Sequence, residues 1–288
     1  MDPSPNAPIS FACKDGRTIV ADQEVSYILP SDGAEVTRLD LNHQLWLQVT
    51  RLYKVPMHDA LTRGVRVLDV GCGPGFWTRD MARLYPKSSF VAIDMADVFV
   101  HGEIPSNVQF QLVNAAKGLP FKDDSFDFVF QRFLVMGFPT DQYIQSVKEM
   151  KRVLKPGGYL ETMELVNDCQ LPSPALSQVA KWIDDALVAR GMDSFIADKV
   201  AQFLKDEGFV GIEEQDYSVP IGPWGGPVGD LYLAIQKLAM PAAGVMVTEL
   251  TPVTENQYRQ MVKKALDEVL HYQCATRFRL VYAREPVQ

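Results

Sequence analysis

The residues best suited to chemistry in this chain are a few carboxylates, one histidine and a run of glycines, and their spacing restricts what they can do. The run is Val67-Leu68-Asp69-Val70-Gly71-Cys72-Gly73-Pro74-Gly75-Phe76-Trp77-Thr78. An apolar stretch, a glycine cluster and an amphipathic segment in that order describe a buried strand, a tight turn and a helix N-terminus, as in nucleotide-binding folds. A phosphate-binding loop needs Gly-x-x-x-x-Gly-Lys-Ser/Thr, and no Lys-Ser/Thr pair follows Gly75. A dinucleotide fingerprint needs its third glycine one residue later than Gly75, and here Phe76 and Trp77 open the helix instead.

Such a turn suits a nucleoside that carries a small zwitterion, because the glycines let backbone N–H and C=O groups approach its carboxylate and ammonium. S-adenosylmethionine has that chemistry. Asp94 ends the run Phe90-Val91-Ala92-Ile93-Asp94, where a carboxylate can accept both ribose hydroxyls. Asn114-Ala115-Ala116 follows the next apolar run, in the position that faces an adenine ring, and Phe126–Phe133 carries Gln131, Arg132 and Phe133 into the expected crevice.

Alternating elements would position these residues. Apolar runs at 65–70, 90–93, 108–113, 126–130 and 159–166 predict strands separated by amphipathic segments, hence a parallel sheet covered by helices. Helices are expected at 143–154, stopped by Lys155-Pro156-Gly157-Gly158, and at 198–207, with a strand near 211–219. A front helix is expected after Ser31, opened by Asp32 and Glu35 in a capping-box pattern and carrying Arg38 and His43. Two further helices, the second opened by Thr254 and Gln257, precede a final strand at 275–283. They form a helical insertion of roughly fifty residues, about 223–272, a size typical of a lid. Residues 1–20 read as a flexible tail, 21–60 as an N-terminal cap and 61–288 as the main domain.

Composition narrows the function classes. With 28 basic and 36 acidic side chains among 288 residues the net charge is −8, which disfavours nucleic acid and anionic membranes as partners. The four cysteines and four histidines show no metal-ligand spacing, so no metal is expected. Nothing reads as a signal peptide or as a bilayer-spanning segment, and a cytoplasmic protein is expected.

Together, the glycine loop, the Phe90–Asp94 run, Leu119–Arg132 and the Leu154–Glu161 turn resemble the ordered motifs of class I S-adenosylmethionine-dependent methyltransferases. The flanks Tyr27–Asp32, Glu35, Arg38–Asp40, His43 and Val219–Trp224 resemble the fungal LaeA-like methyltransferases of secondary metabolism. The resemblance implies a Rossmann-like α/β fold with a mostly parallel seven-stranded sheet, an N-terminal helical cap and a helical insertion before the last strand.

It also implies roles. Asp69, Gly71, Cys72, Gly73, Gly75 and Trp77 would form the methionyl end and its turn, Asp94 would hold the ribose, and Met95 would cover one face of the adenine. Gln131 and Arg132 would lie beneath the sulfonium, and Asn114, Ala115 and Ala116 would lie beside the adenine. Many class I enzymes place an acid where Ala115 stands, so the Asn114 oxygen or backbone groups would take over its contact.

Several residues carry two readings. His43 is either a general base or a ligand of the cofactor carboxylate or a backbone carbonyl, and Glu164 is either a base or a structural partner of Arg132. Arg38 either grips the cofactor carboxylate or pairs with Glu35 or Asp40. Tyr27 covers the methionine moiety, touches the substrate or simply packs; Trp224 is a substrate wall or a lid anchor. Phe133 and Met163 are the remaining substrate candidates. The expected function is methyl transfer to an O, N or C nucleophile of a small hydrophobic or aromatic secondary metabolite. The alternative is a LaeA-like regulator that binds the cofactor and acts through a protein partner.

Overall fold

The computed structural model describes residues 11–14, 17–20, 33–99, 102–135 and 137–287. Two short strands, β1 (Phe11–Lys14) and β2 (Arg17–Val20), pair antiparallel within the stretch expected to be a flexible tail. The remaining strands are β3 (Arg66–Val70), β4 (Ser89–Asp94), β5 (Val108–Leu112), β6 (Phe126–Arg132), β7 (Leu154–Gln170), β8 (Val210–Pro220) and β9 (Ala275–Arg284). They form one seven-stranded sheet in the order β5-β4-β3-β6-β7-β9-β8. Neighbours from β5 to β7 run parallel, and β9 runs antiparallel to both β7 and β8.

That order places the site. From β3 the chain moves outward through β4 to β5 and then crosses back to place β6 on the other side of β3. The reversal leaves a crevice beyond the carboxyl ends of β3 and β6, where the connecting segments diverge. Side chains on the strands alternate between two cores, as the strand period of two requires. Val67, Phe128 and Phe130 pack on one face with Trp77 and Met81, and Leu68, Val70 and Val129 pack on the other with Met150 and Val147.

The helices are α1 (Gly33–Val49), α2 (His58–Arg63), α3 (Phe76–Leu84), α4 (Thr140–Val153), α5 (Pro174–Ala189), α6 (Val200–Asp206), α7 (Gly226–Leu250) and α8 (Glu255–Glu268). A third core, with Trp46, Val179, Tyr232, Met246, Val262 and Phe278, joins α1, α5, α7 and α8 to the β9 side of the sheet. Thr254 and Gln257 make the expected reciprocal cap: the Gln257 amide donates to Thr254 Oγ1 and the Thr254 amide to Gln257 Oε1. Asp32, half of the other expected cap, lies outside the described residues.

Three expectations need correction. The α5 helix was not anticipated, although Ser173 caps it by accepting from the Leu176 amide and Pro174 occupies its first turn. The β7 strand begins at Leu154, so the Lys155–Gly158 turn is an irregularity within it, with Gly157 at φ +80° and a register shift between Phe126 and Phe128. No segment of membrane-spanning length was expected, yet the stretch Pro223–Leu250 is long and apolar enough by length and composition. Part of that apolar character serves packing: 44% of its apolar window is buried, with Tyr232, Ile235, Met240, Ala243 and Val247 turned into the protein.

Candidate active site at the switch point

The glycine turn is built as the sequence demanded. Gly71, Gly73 and Gly75 have φ of +69°, +53° and +83°, the left-handed region that disfavours side chains. The Cys72 amide donates to the Ile93 carbonyl and the Gly73 amide to Asp94 Oδ2, at 2.9 and 2.8 Å, which ties the turn after β3 to the end of β4. Gly75 caps α3, and a methyl group there would meet Phe110 Cε1 at 2.4 Å. Trp77 turns inward, with its ring stacked on Phe130 at 3.8 Å and its Nε1 donating to the Leu52 carbonyl.

Beyond the turn lies a cavity of about 270 Å³. One end is walled by Asp69, Gly71, Cys72, Gly73 and Asp94, with Phe76 and Trp77 beside them. One face of α1 contributes Arg38, Leu39, Asn42 and His43, and the end of β6 contributes Arg132 and Phe133. The opposite wall is apolar, formed by Tyr232, Ile235, Ala239 and Ala243 of α7 together with Phe278.

Charge is concentrated at the turn end. Burial pushes Asp69 up to about 7, although the Thr78 hydroxyl donates to it and Arg132 lies near. Asp94 is also raised by burial, against the amides of Ala96 and Gly73 that donate to it. Arg132 is lowered to about 10 by burial, opposed by Asp69 and Glu161. Its guanidinium lies 3.3 Å from His43 Nδ1, and His43 Nε2 lies 3.0 Å from Asp80 Oδ2. Because a guanidinium only donates, Nδ1 accepts, and the hydrogen on Nε2 goes to Asp80. Burial and the Arg132 charge lower the pKa of His43, so the ring is neutral near pH 7.

Other expected residues are used differently. Glu164 does not line this cavity: its Oε1 accepts from Gln131 Nε2, the Leu134 amide and the Tyr143 hydroxyl, and its Oε2 from the Val135 amide. Its bonds brace the loop after β6, and its expected structural partner Arg132 points instead to His43. Gln131 and Met163 are buried behind the cavity wall. Arg38 makes two bonds to Glu35, at 2.6 and 2.8 Å. Trp224 lies outside the cavity and donates from Nε1 to the carbonyls of Ile221 and Cys274, an anchor for the start of α7. Met95, Ala115 and Ala116 lie outside the cavity lining, and the Asn114 oxygen caps a short turn by accepting from the Ala116 amide. Tyr27 lies outside the described residues.

Among the lining residues that sequence reasoning missed are Asn42, Leu39 and the α5 residue Ile183. The first two were detectable, because positions 38, 39, 42 and 43 share one helical face. Ile183 was not, because its helix had not been anticipated.

The donor set discriminates among ligands. Two buried carboxylates beside a glycine turn repel a pyrophosphate, whereas an ammonium, a ribose diol and a carboxylate facing Arg132 match the charges present. A methyl group at Gly73 would project to 3.6 Å from Leu39, another lining residue, so the missing side chain leaves room for the ligand. The cavity therefore fits S-adenosylmethionine.

Comparison with known proteins agrees. A family model described as a methyltransferase domain matches residues 67–158. The secondary metabolism regulator laeA of Aspergillus flavus is 28% identical over 225 residues, covering 74% of this chain and 59% of that protein. The methyltransferase pytC of Aspergillus terreus is 27% identical over 226 residues, covering 74% of this chain and 67% of that protein. Phosphoethanolamine N-methyltransferase 2 of Haemonchus contortus, solved with phosphomonomethylethanolamine and S-adenosylhomocysteine, superposes with a TM-score of 0.52 at 19% identity, over 87% of this chain and 52% of that one, a likeness of fold. With its sheet order, glycine turn and Asp94 as described, the chain has the fold of class I S-adenosylmethionine-dependent methyltransferases, carries a methyltransferase-domain match over residues 67–158 and resembles the LaeA-like proteins of fungi.

Proposed function

We propose that this protein transfers a methyl group to an O, N or C nucleophile of a small, apolar or aromatic acceptor. The supporting observation is one continuous cavity, charged at the glycine turn and apolar at α7, which gives a zwitterionic cofactor and a greasy acceptor adjoining places. S-adenosylmethionine, when bound, supplies a methyl carbon already activated by the neighbouring positive sulfur.

The tasks left to the protein are alignment and exclusion of water. Asp69 and Arg132 present opposite charges at the turn, where an ammonium and a carboxylate would be fixed. Phe133, Ile235 and Phe278 keep the other end dry. His43 has both ring nitrogens engaged and serves to hold Arg132 in place. Glu164 faces away, so the acceptor reacts as a nucleophile that arrives with a free lone pair or already deprotonated.

The test is incubation of purified protein and methyl-labelled S-adenosylmethionine with phenols, amines and polyketide enols. Acceptor-dependent release of S-adenosylhomocysteine supports the reading. Cofactor binding without turnover on any of these, together with a reproducible protein partner, would favour the regulatory alternative.

A further inference from the structure

Behind the partition that closes the first cavity lies a second, of about 160 Å³. Val135, Leu165, Ile183, Tyr232, Gln236 and Met240 line both cavities, so the two adjoin across these residues. Two of those side chains, Gln236 and Met240, are long and unbranched, and Met adapts readily to the shape of a guest. The second cavity continues between the outer part of β7 and α5, past Val166, Leu176, Val179 and Leu187. Its body is apolar.

Its charged groups are of one sign. Asp168 and Asp184 both line it, and no lysine, arginine or histidine does among the described residues. Asp168 is paired with Arg277 at 3.3 Å. Asp184 is held by neutral donors, the Ser194 hydroxyl and the Asn167 amide, the latter at 3.5 Å. An apolar guest whose end is a cation would supply that carboxylate with a charged partner, and an anionic end would be repelled.

We propose that the second cavity seats the tail of the acceptor, an apolar chain ending in a protonated amine received by Asp184, while the reacting atom lies in the first cavity. The proposal rests on the methyl-transfer reading for the word acceptor; the amine-binding cavity itself does not.

The test is calorimetric titration of the full chain with octylamine, octanol and octanoate, with and without saturating S-adenosylhomocysteine. The expected result is one octylamine bound per chain, at least tenfold tighter than octanoate, with affinity rising about threefold to fourfold per methylene along the hexyl to octyl series. Asp184→Asn removes at least tenfold of the octylamine affinity and leaves octanol unchanged. Ala180→Trp, which fills the second cavity alone, weakens octylamine and octanol at least tenfold and leaves S-adenosylhomocysteine within twofold of the unaltered protein. Should Ala180→Trp fail to fold by thermal melting, Asp184→Asn, which alters no volume, decides. Octanoate binding as well as octylamine, or Asp184→Asn leaving octylamine unchanged, overturns the proposal. Failure of S-adenosylhomocysteine to bind while octylamine behaves as expected would sink the methyl-transfer reading and leave the amine site standing.

Discussion

Asp94 accepts a hydrogen bond from the Gly73 amide at 2.8 Å, so the last residue of β4 braces the turn that follows β3. Its other oxygen accepts from the Ala96 amide at 2.9 Å. The lone pairs these amides leave free are what a ribose diol would use. One carboxylate thus shapes the turn and reads the ligand, and a change at Asp94 acts on both.

Gly75 and Gly73 separate backbone strain from ligand space. Gly75→Ala places a methyl group 2.4 Å from Phe110 at φ +83°, so it is expected to destabilise the fold by about 2–4 kcal/mol. Gly73→Ala meets only an ordinary contact with Leu39 and is expected to cost about 1–2 kcal/mol, while weakening S-adenosylhomocysteine strongly. Urea unfolding and titration of both variants check this. Equal stability of the two would contradict the packing described around Phe110.

Binding of S-adenosylhomocysteine should strengthen as pH rises through about 7. Burial holds Asp69 up to about 7, so below that pH the group is protonated and cannot receive an ammonium, and above it the carboxylate is ready. Affinity is expected to rise by up to about tenfold per pH unit on the acid side and to level off above pH 8. Asp69→Asn should flatten the profile. An unchanged slope in that variant would assign the pH dependence elsewhere, with Asp94 the next carboxylate to examine.

Glu164 is predicted to matter for stability rather than turnover. Glu164→Ala strips acceptors from the Leu134 and Val135 amides and from the Tyr143 hydroxyl, a loss of about 3 kcal/mol. Glu164→Gln keeps one oxygen and should fold with turnover within a few-fold of the unaltered protein. A folded Glu164→Gln protein with turnover down a hundredfold and an altered pH profile would restore Glu164 as a base.

The glycine turn and the place of Asp94 were legible because they depend on local rules. Glycines at 71, 73 and 75, and a carboxylate at the end of the next apolar run, can be recognised without knowing the fold. The parallel sheet covered by helices followed from alternation, and Thr254 with Gln257 announced α8. Tertiary choices were illegible. Whether Arg38 reaches a ligand or Glu35, and whether Trp224 faces a cavity or two carbonyls, depends on what packs opposite them. Pro241 reads as a helix stop, yet α7 runs through it to Leu250, held by packing on several sides. The hairpin near the N-terminus had a signal in Asp15-Gly16, outweighed by the surrounding Pro, Ser and Asn.

The central claim is that Asp94 and the glycine turn form a site for S-adenosylmethionine. Calorimetric titration of the purified protein with S-adenosylhomocysteine, alongside Asp94→Ala and a melting curve to show that the variant is folded, tests it most directly. One site per chain with a micromolar-range Kd, weakened at least a hundredfold in a folded Asp94→Ala, is the predicted result. No binding to the unaltered protein, or equal binding to the folded variant, would contradict it.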